Sequence, residues 1–146
     1  MEISRFKHSV GQNSYHLVWK MKYAWDSFKF PWVKKDCEAI LREAASRYGL
    51  TIYELEVMQD HIHLFAEVPP TMCVSKALQL VKGYSAYKLF RKHKWLRKYF
   101  RKGHLWSPGK FFRSVGNVTA ESIQHYIAQT NRGSYYQQSL LRYSAL

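Results

Sequence analysis

The stretch Asp60-His61-Ile62-His63-Leu64-Phe65-Ala66-Glu67-Val68 alternates with a period of two. Successive side chains of a β-strand point to opposite faces. Ile62, Leu64, Ala66 and Val68 therefore supply a core face, while His61 and His63 project together from the other. The aliphatic residues already fill the core side, so the histidines are not needed for packing. Two neutral imidazoles about 7 Å apart along a strand can hold one divalent ion edge-on and leave its other positions open. A plain pair of surface or hydrogen-bonded histidines has the same spacing, so the rest of the chain has to decide between them.

Around this strand the chain reads as an α+β domain. Tyr15-His16-Leu17-Val18-Trp19 is aromatic and β-branched enough for a first strand, with Lys20, Lys22 and Tyr23 at its basic end. Val33, Cys37, Ile40, Leu41, Ala44 and Tyr48 fall at helical spacing, and Gly49 is placed to end that helix. Thr51 to Val57 predicts a second strand, and His61 to Val68 a third that Pro69-Pro70 stops. Val74, Leu78, Val81, Ser85 and Leu89 mark one face of a second helix. Lys110 to Val115 predicts a fourth strand after a loop over Gly103 to Gly109. Thr119 is a good N-cap for a last helix, with Val118 and Ile123 stapled across it. The first six elements, β-α-β-β-α-β, make the split βαβ arrangement of ferredoxin-like and RRM-like domains: a four-stranded antiparallel sheet with two helices on one face. The other face is left for a ligand, and both histidines belong on it. No linker, repeat or low-complexity segment interrupts residues 1–146, which predicts a single domain.

The charge is uneven. The chain of 146 residues carries a formal net charge of +13. Between Glu67 and Glu121 there is no acidic side chain at all. That stretch holds Lys82, Lys88, Arg91, Lys92, Lys94, Arg97 and Lys98 on the second helix and just beyond it. A field of one sign points to a polyanion, nucleic acid first and an anionic membrane second. Tyr84, Tyr87 and Tyr99 sit among these cations and offer stacking surfaces for bases. Cys37 and Cys73 lack a His or second Cys at zinc-ligand spacing, which suits a reduced cytoplasmic setting. Met1 to Val10 lacks the apolar core of a signal peptide, and no run is long enough to span a membrane. The expectation is a cytoplasmic protein without a membrane partner.

Tyr126 is one of eleven tyrosines. It follows Ile123 by one turn of the last helix, and Gln129 and Thr130 share its face at i+3 and i+4. On these grounds alone the plainer reading is a tyrosine at a helix–sheet boundary with its hydroxyl in water.

A resemblance reaches further. The segments Tyr15 to Trp19, Leu55 to Leu64, Leu105-Trp106-Ser107-Pro108, Gly116-Asn117-Val118-Thr119 and Ile123 to Ile127 resemble, in order and spacing, the single-tyrosine HUH transposases of the insertion-sequence-200/605 family. The resemblance implies the same split βαβ sheet. It implies that His61 and His63 hold Mg²⁺ or Mn²⁺, and that Tyr126 attacks a phosphodiester to give a 5′-phosphotyrosine link and a free 3′-hydroxyl. It further implies a substrate of single-stranded DNA with hairpins near the element ends. Members of the family work as homodimers with composite active sites. This chain departs from the family twice. Gln59 stands where the family has Pro before the Asp. Thr130 stands where the family has a metal-binding Gln, which leaves Gln129, one residue earlier, as the third ligand in prospect, with Thr130 or water as the other choices. Residues 131–146 extend past the family core and have no assigned role.

Rival readings keep the same sheet. A domesticated relative that processes palindromes, or a replication-type nickase, would use the same chemistry. A catalytically inactive nucleic-acid-binding module of the RNA-recognition type would use exposed aromatics on its central strands, where this chain places His61 and His63. A two-metal nuclease is disfavoured because the available acids reduce to Asp60, Glu54, Glu56 and Glu67.

Overall fold

Pro31 opens the first helix with a φ already suited to it and no N–H to leave unpaired. In the computed structural model, which describes residues 4–5, 10–24 and 27–116, helix α1 runs Pro31–Tyr48. It ends where Gly49 takes a left-handed conformation (φ 77°) and its N–H bonds the Ala45 carbonyl. The chain divides into two compact units, residues 13–115 and the two ends, 1–12 with 116–146. Within the terminal unit the described residues form a small antiparallel ribbon, Ser4–Arg5 with Val10–Gly11. The predicted last helix, with Tyr126, Gln129 and Thr130, and the extension 131–146 lie outside the described residues.

The unit 13–115 is the expected split βαβ sheet. Its strands are β1 (Ser14–Met21), β2 (Thr51–Val57), β3 (His61–Glu67) and β4 (Trp106–Ser114), with α1 after β1 and α2 (Val74–Lys92) after β3. The sheet order is β2-β3-β1-β4 and every pairing is antiparallel. Histidine strand β3 is therefore central, flanked by β1 and β2. The alternation read from the sequence holds: Ile62, Leu64 and Ala66 are buried, as are Leu17, Trp19 and Met21 on β1. They form one core with Val33, Cys37, Leu41 and Ala44 of α1 and Ala77, Leu78, Val81 and Leu89 of α2. Both described helices thus cover one face. On β2 the register shifts between Ile52 and Glu54. This bulge at Tyr53 lets Ile52, Leu55 and Val57 all pair with core-facing residues of β3, and it puts Glu54 and Glu56 opposite Phe65 and His63.

One boundary differs from expectation. The fourth strand begins at Trp106, not Lys110, and takes in Pro108 and Gly109, which read as loop in the sequence. Trp19 pairs with Lys110 and Met21 with Trp106, so Ser107, Pro108 and Gly109 fall together in an irregularity opposite Lys20. Among the described residues β4 is an edge strand, and the irregularity leaves no ladder bond that would need the N–H that Pro108 lacks. Its start is held by polar ties to α2. Trp106 donates its indole N–H to Ser85 Oγ at 3.0 Å, and the Lys82 ammonium donates to the Ser107 carbonyl at 2.8 Å.

Ile62 is fully buried between the two histidines. Ile62→Ala is expected to destabilise the fold by about 2–5 kcal/mol, as for a buried aliphatic side chain whose cavity cannot collapse. Urea unfolding measures it. A loss below about 1 kcal/mol would mean the core face of β3 is not packed as described.

Candidate active site

His61 and His63 lie half-buried on the face away from the helices. Their rings meet edge to face, with centroids 4.9 Å apart, and the two Nε2 atoms converge to 3.1 Å. Each ring is held from behind. Asp60 Oδ1 lies 2.7 Å from His61 Nδ1. His16, on β1, lies with Nε2 3.1 Å from His63 Nδ1, its ring nearly parallel to that of His63 and edge to edge with it, centroids 5.3 Å apart. The result is a row: Asp60, His61, His63, His16. Sheet register builds it, because β1 runs antiparallel beside β3 with Val18 opposite His63 and Lys20 opposite His61.

Charge fixes much of the proton placement. The hydrogen bond from His61 holds the Asp60 carboxyl below the usual carboxylate range, against the opposing effect of burial. A carboxylate only accepts, so His61 donates from Nδ1 and, when neutral, keeps a lone pair at Nε2. Burial first, then the nearby His61 and His16, push His63 below the ordinary imidazole value, while Glu56 pulls the other way. A neutral imidazole is the form that binds metal.

The donor set suits a divalent ion. Two ligands at right angles on bonds of about 2.1 Å stand about 3 Å apart, close to the observed Nε2 separation of 3.1 Å. Among the described residues no group of three or more His, Cys, Asp or Glu is arranged to hold a metal ion. His61 and His63 are the two candidate ligands among the described residues, and Gln129 lies outside them.

The sequence reading did not single out His16, Lys20, Phe111 or Arg113 as site residues. Phe111, 53% exposed, sets its ring edge-on to His16, and Arg113 pairs with His16 across β1 and β4. Lys20 is exposed opposite His61. Only the pairing of strands far apart in the chain brings these four to the histidines.

The seven cations expected to bind nucleic acid are placed unevenly. Lys82 is turned partly inward onto Ser107, and burial, with Lys110 nearby, lowers its pKa. Lys88 pairs with Glu43 at 3.7 Å and Lys92 with Asp36 at 2.9 Å. Arg91 bonds the Tyr87 hydroxyl at 2.6 Å and lies over its ring. Arg97 covers Phe90, while Lys94 and Lys98 are exposed on the 3₁₀ turn Lys94–Lys98. The acid-free run is thus met by carboxylates from α1, which the charge count along the sequence could not locate. Of the tyrosines, Tyr87 and Tyr99 are exposed, whereas Tyr84 is drawn to Glu43, Arg47 and Lys88.

An outward histidine pair on the central strand of a split βαβ sheet narrows the class, and comparison with known proteins identifies it as the transposases of insertion sequences. The sequence profile described as "Transposase IS200 like" matches residues 9–130. The chain belongs to this IS200-like transposase family. It is 32% identical over 127 residues to the ISDra2 transposase TnpA of Deinococcus radiodurans, covering 87% of this chain and 90% of that one. It is 32% identical over 120 residues to the transposase for insertion sequence element IS200 of Salmonella typhimurium, covering 82% and 78%. A crystal structure of a candidate transposase from Deinococcus radiodurans R1 superposes with a TM-score of 0.71 at 30% identity, over 86% of this chain and 96% of that one. A tyrosine transposase solved bound to a REP hairpin shares the fold at a TM-score of 0.51 and 13% identity, over 89% and 74%. Among the described residues no helix is long and apolar enough to cross a membrane.

Proposed function

We propose that this IS200-like transposase cleaves and rejoins single-stranded DNA at hairpin-bearing element ends through a 5′-phosphotyrosine formed on Tyr126. The observation that carries this reading is the convergence of His61 Nε2 and His63 Nε2 to 3.1 Å on the face of the sheet away from α1 and α2. In the proposed reaction Tyr126 Oη attacks the scissile phosphorus, the bond from phosphorus to the 3′ oxygen breaks, and the 3′-hydroxyl leaves with a proton. The ester on Tyr126 conserves the phosphodiester bond energy, so an incoming 3′-hydroxyl can displace the tyrosine without a nucleotide cofactor. His61 and His63, with Gln129 as the third ligand, are the residues that would hold Mg²⁺ or Mn²⁺. A bound divalent ion supplies charge neutralisation and orientation at the phosphoryl oxygens. Asp60 keeps His61 turned with its Nε2 lone pair outward, the usual office of a carboxylate behind a ligating histidine.

The direct test is incubation with single-stranded end DNA and Mn²⁺, followed by a search for a covalent protein–DNA adduct. Absence of any adduct with several candidate ends and intact protein supports the inactive binding module instead.

The proposed active sites are composite, with His61 and His63 from one protomer and Tyr126 from its partner in a homodimer. Mixing His61→Ala with Tyr126→Phe subunits is then expected to restore part of the activity that neither variant has alone. No rescue after verified subunit exchange would favour a site built within one chain.

Lys88, Arg91, Lys92, Lys94, Arg97 and Lys98 are proposed to hold the DNA backbone, with Lys82 bracing the strand behind them. Phosphate contacts position DNA without reading its sequence. About five contacts to a single strand give a log–log salt slope near −3.5, from about −0.7 per contact. Replacing Arg91, Lys92 and Lys94 with Gln is expected to make the slope shallower and weaken hairpin and random strands alike. Loss confined to the hairpin strand would mean that these residues read shape or bases.

A further inference from the structure

His16 stands 45 residues before His61 in the chain and completes the row behind His63. We infer that His16 is a positioning residue, which fixes the ring of His63 and takes over its Nδ1 proton contact when the two Nε2 atoms share a divalent ion. This inference rests on the proposed metal site at His61 and His63.

If all three imidazoles are neutral, each hydrogen in the row has one place. His61 carries its proton at Nδ1, against Asp60, so the proton in the 3.1 Å contact between the two Nε2 atoms belongs to His63. His63 Nδ1 is then bare and accepts from His16 Nε2–H across 3.1 Å. Ligation through both Nε2 atoms requires His63 to be bare at Nε2 instead. Its proton must move to Nδ1, and His16 must present a lone pair at Nε2 with its own proton on Nδ1. Both rings change tautomer, both stay neutral, and no proton is released. A residue that could only donate at this position, such as Lys, would block the change; imidazole can do either.

The geometry supports a positioning role over simple packing. The His16 and His63 rings lie nearly parallel, 17° apart, with centroids at 5.3 Å, so the contact between Nε2 and Nδ1 constrains the rotation of His63. Phe111 stands edge-on to His16 at 6.3 Å and limits its swing from the far side. Among the described residues no carboxylate is hydrogen-bonded behind His63 to match Asp60 behind His61. Glu56 is opposite it in the sheet and acts only through charge. His16 is the group that fills the place of a ligand's orienting partner.

The test uses the full chain labelled with ¹⁵N-histidine, read by long-range ¹H–¹⁵N spectra with and without Mg²⁺, beside Mn²⁺ titration calorimetry. The expected result is His63 protonated at Nε2 without metal and at Nδ1 with it, with His16 changing in the opposite sense. His16→Ala is expected to weaken Mn²⁺ binding about 10- to 100-fold. His16→Gln, whose amide oxygen reaches the place of Nε2, should recover most of that loss. Native Mn²⁺ affinity in His16→Ala, in a protein where His61→Ala abolishes binding, overturns the role of His16 and leaves the metal site standing. Unchanged affinity in His61→Ala as well overturns the metal site, and this inference falls with it. Failure of His16→Gln to recover affinity, with its circular dichroism native, also overturns the role.

Discussion

Tyr126→Phe is expected to abolish the covalent adduct with single-stranded end DNA and to leave DNA binding nearly unchanged. The substitution removes one oxygen and keeps the ring, so it takes away only the proposed nucleophile. Water bound at the same site attacks far less effectively than a positioned phenolate, and a loss of at least roughly a thousandfold in cleavage is expected. Denaturing gels with labelled DNA read the adduct, and anisotropy reads the binding. An adduct that persists, or one that peptide mapping places on Tyr135 or Tyr136, removes Tyr126 from the role that the resemblance to the family implies for it.

His61→Ala and His63→Ala are expected to lower Mn²⁺ affinity and cleavage together. Each leaves one imidazole of a pair whose Nε2 atoms stand 3.1 Å apart. A direct ligand is worth more than the 10- to 100-fold or so of a group behind it, so a loss above about a hundredfold is expected. Gln129→Ala should cost less, about tenfold, as for a weaker or replaceable ligand. Both histidines face away from the core, so near-native unfolding curves should accompany the loss. Calorimetry showing unchanged affinity in both histidine variants would sink the metal site.

The elements that the sequence announced are those whose signals are local. The alternation through His61, Ile62, His63 and Leu64 needs only neighbours, and so does the stop of α1 at Gly49. The true start of β4 was hidden because Pro108 and Gly109 are turn residues almost everywhere except beside a bulge on an edge strand. His16 was hidden for a different reason. Its contact with His63 depends on the register of β1 against β3, a long-range fact that no window of residues contains. The carboxylates of Asp36 and Glu43 escaped in the same way, since they come from α1 and meet cations on α2. Tyr126 and Gln129 stand on the resemblance to the family, outside the described residues.

The two ion pairs between helices change what attraction means on the outer side of this molecule. Lys92 shares Asp36 with His93, and Lys88 shares Glu43 with the Tyr84 hydroxyl. A phosphate that engages Lys92 therefore replaces an anion already present, and its gain is the difference between two partners rather than the whole of a new charge pair. Helix α1 works as a tethered counter-ion. Its carboxylates lower the net positive charge that this part of α2 presents to any polyanion.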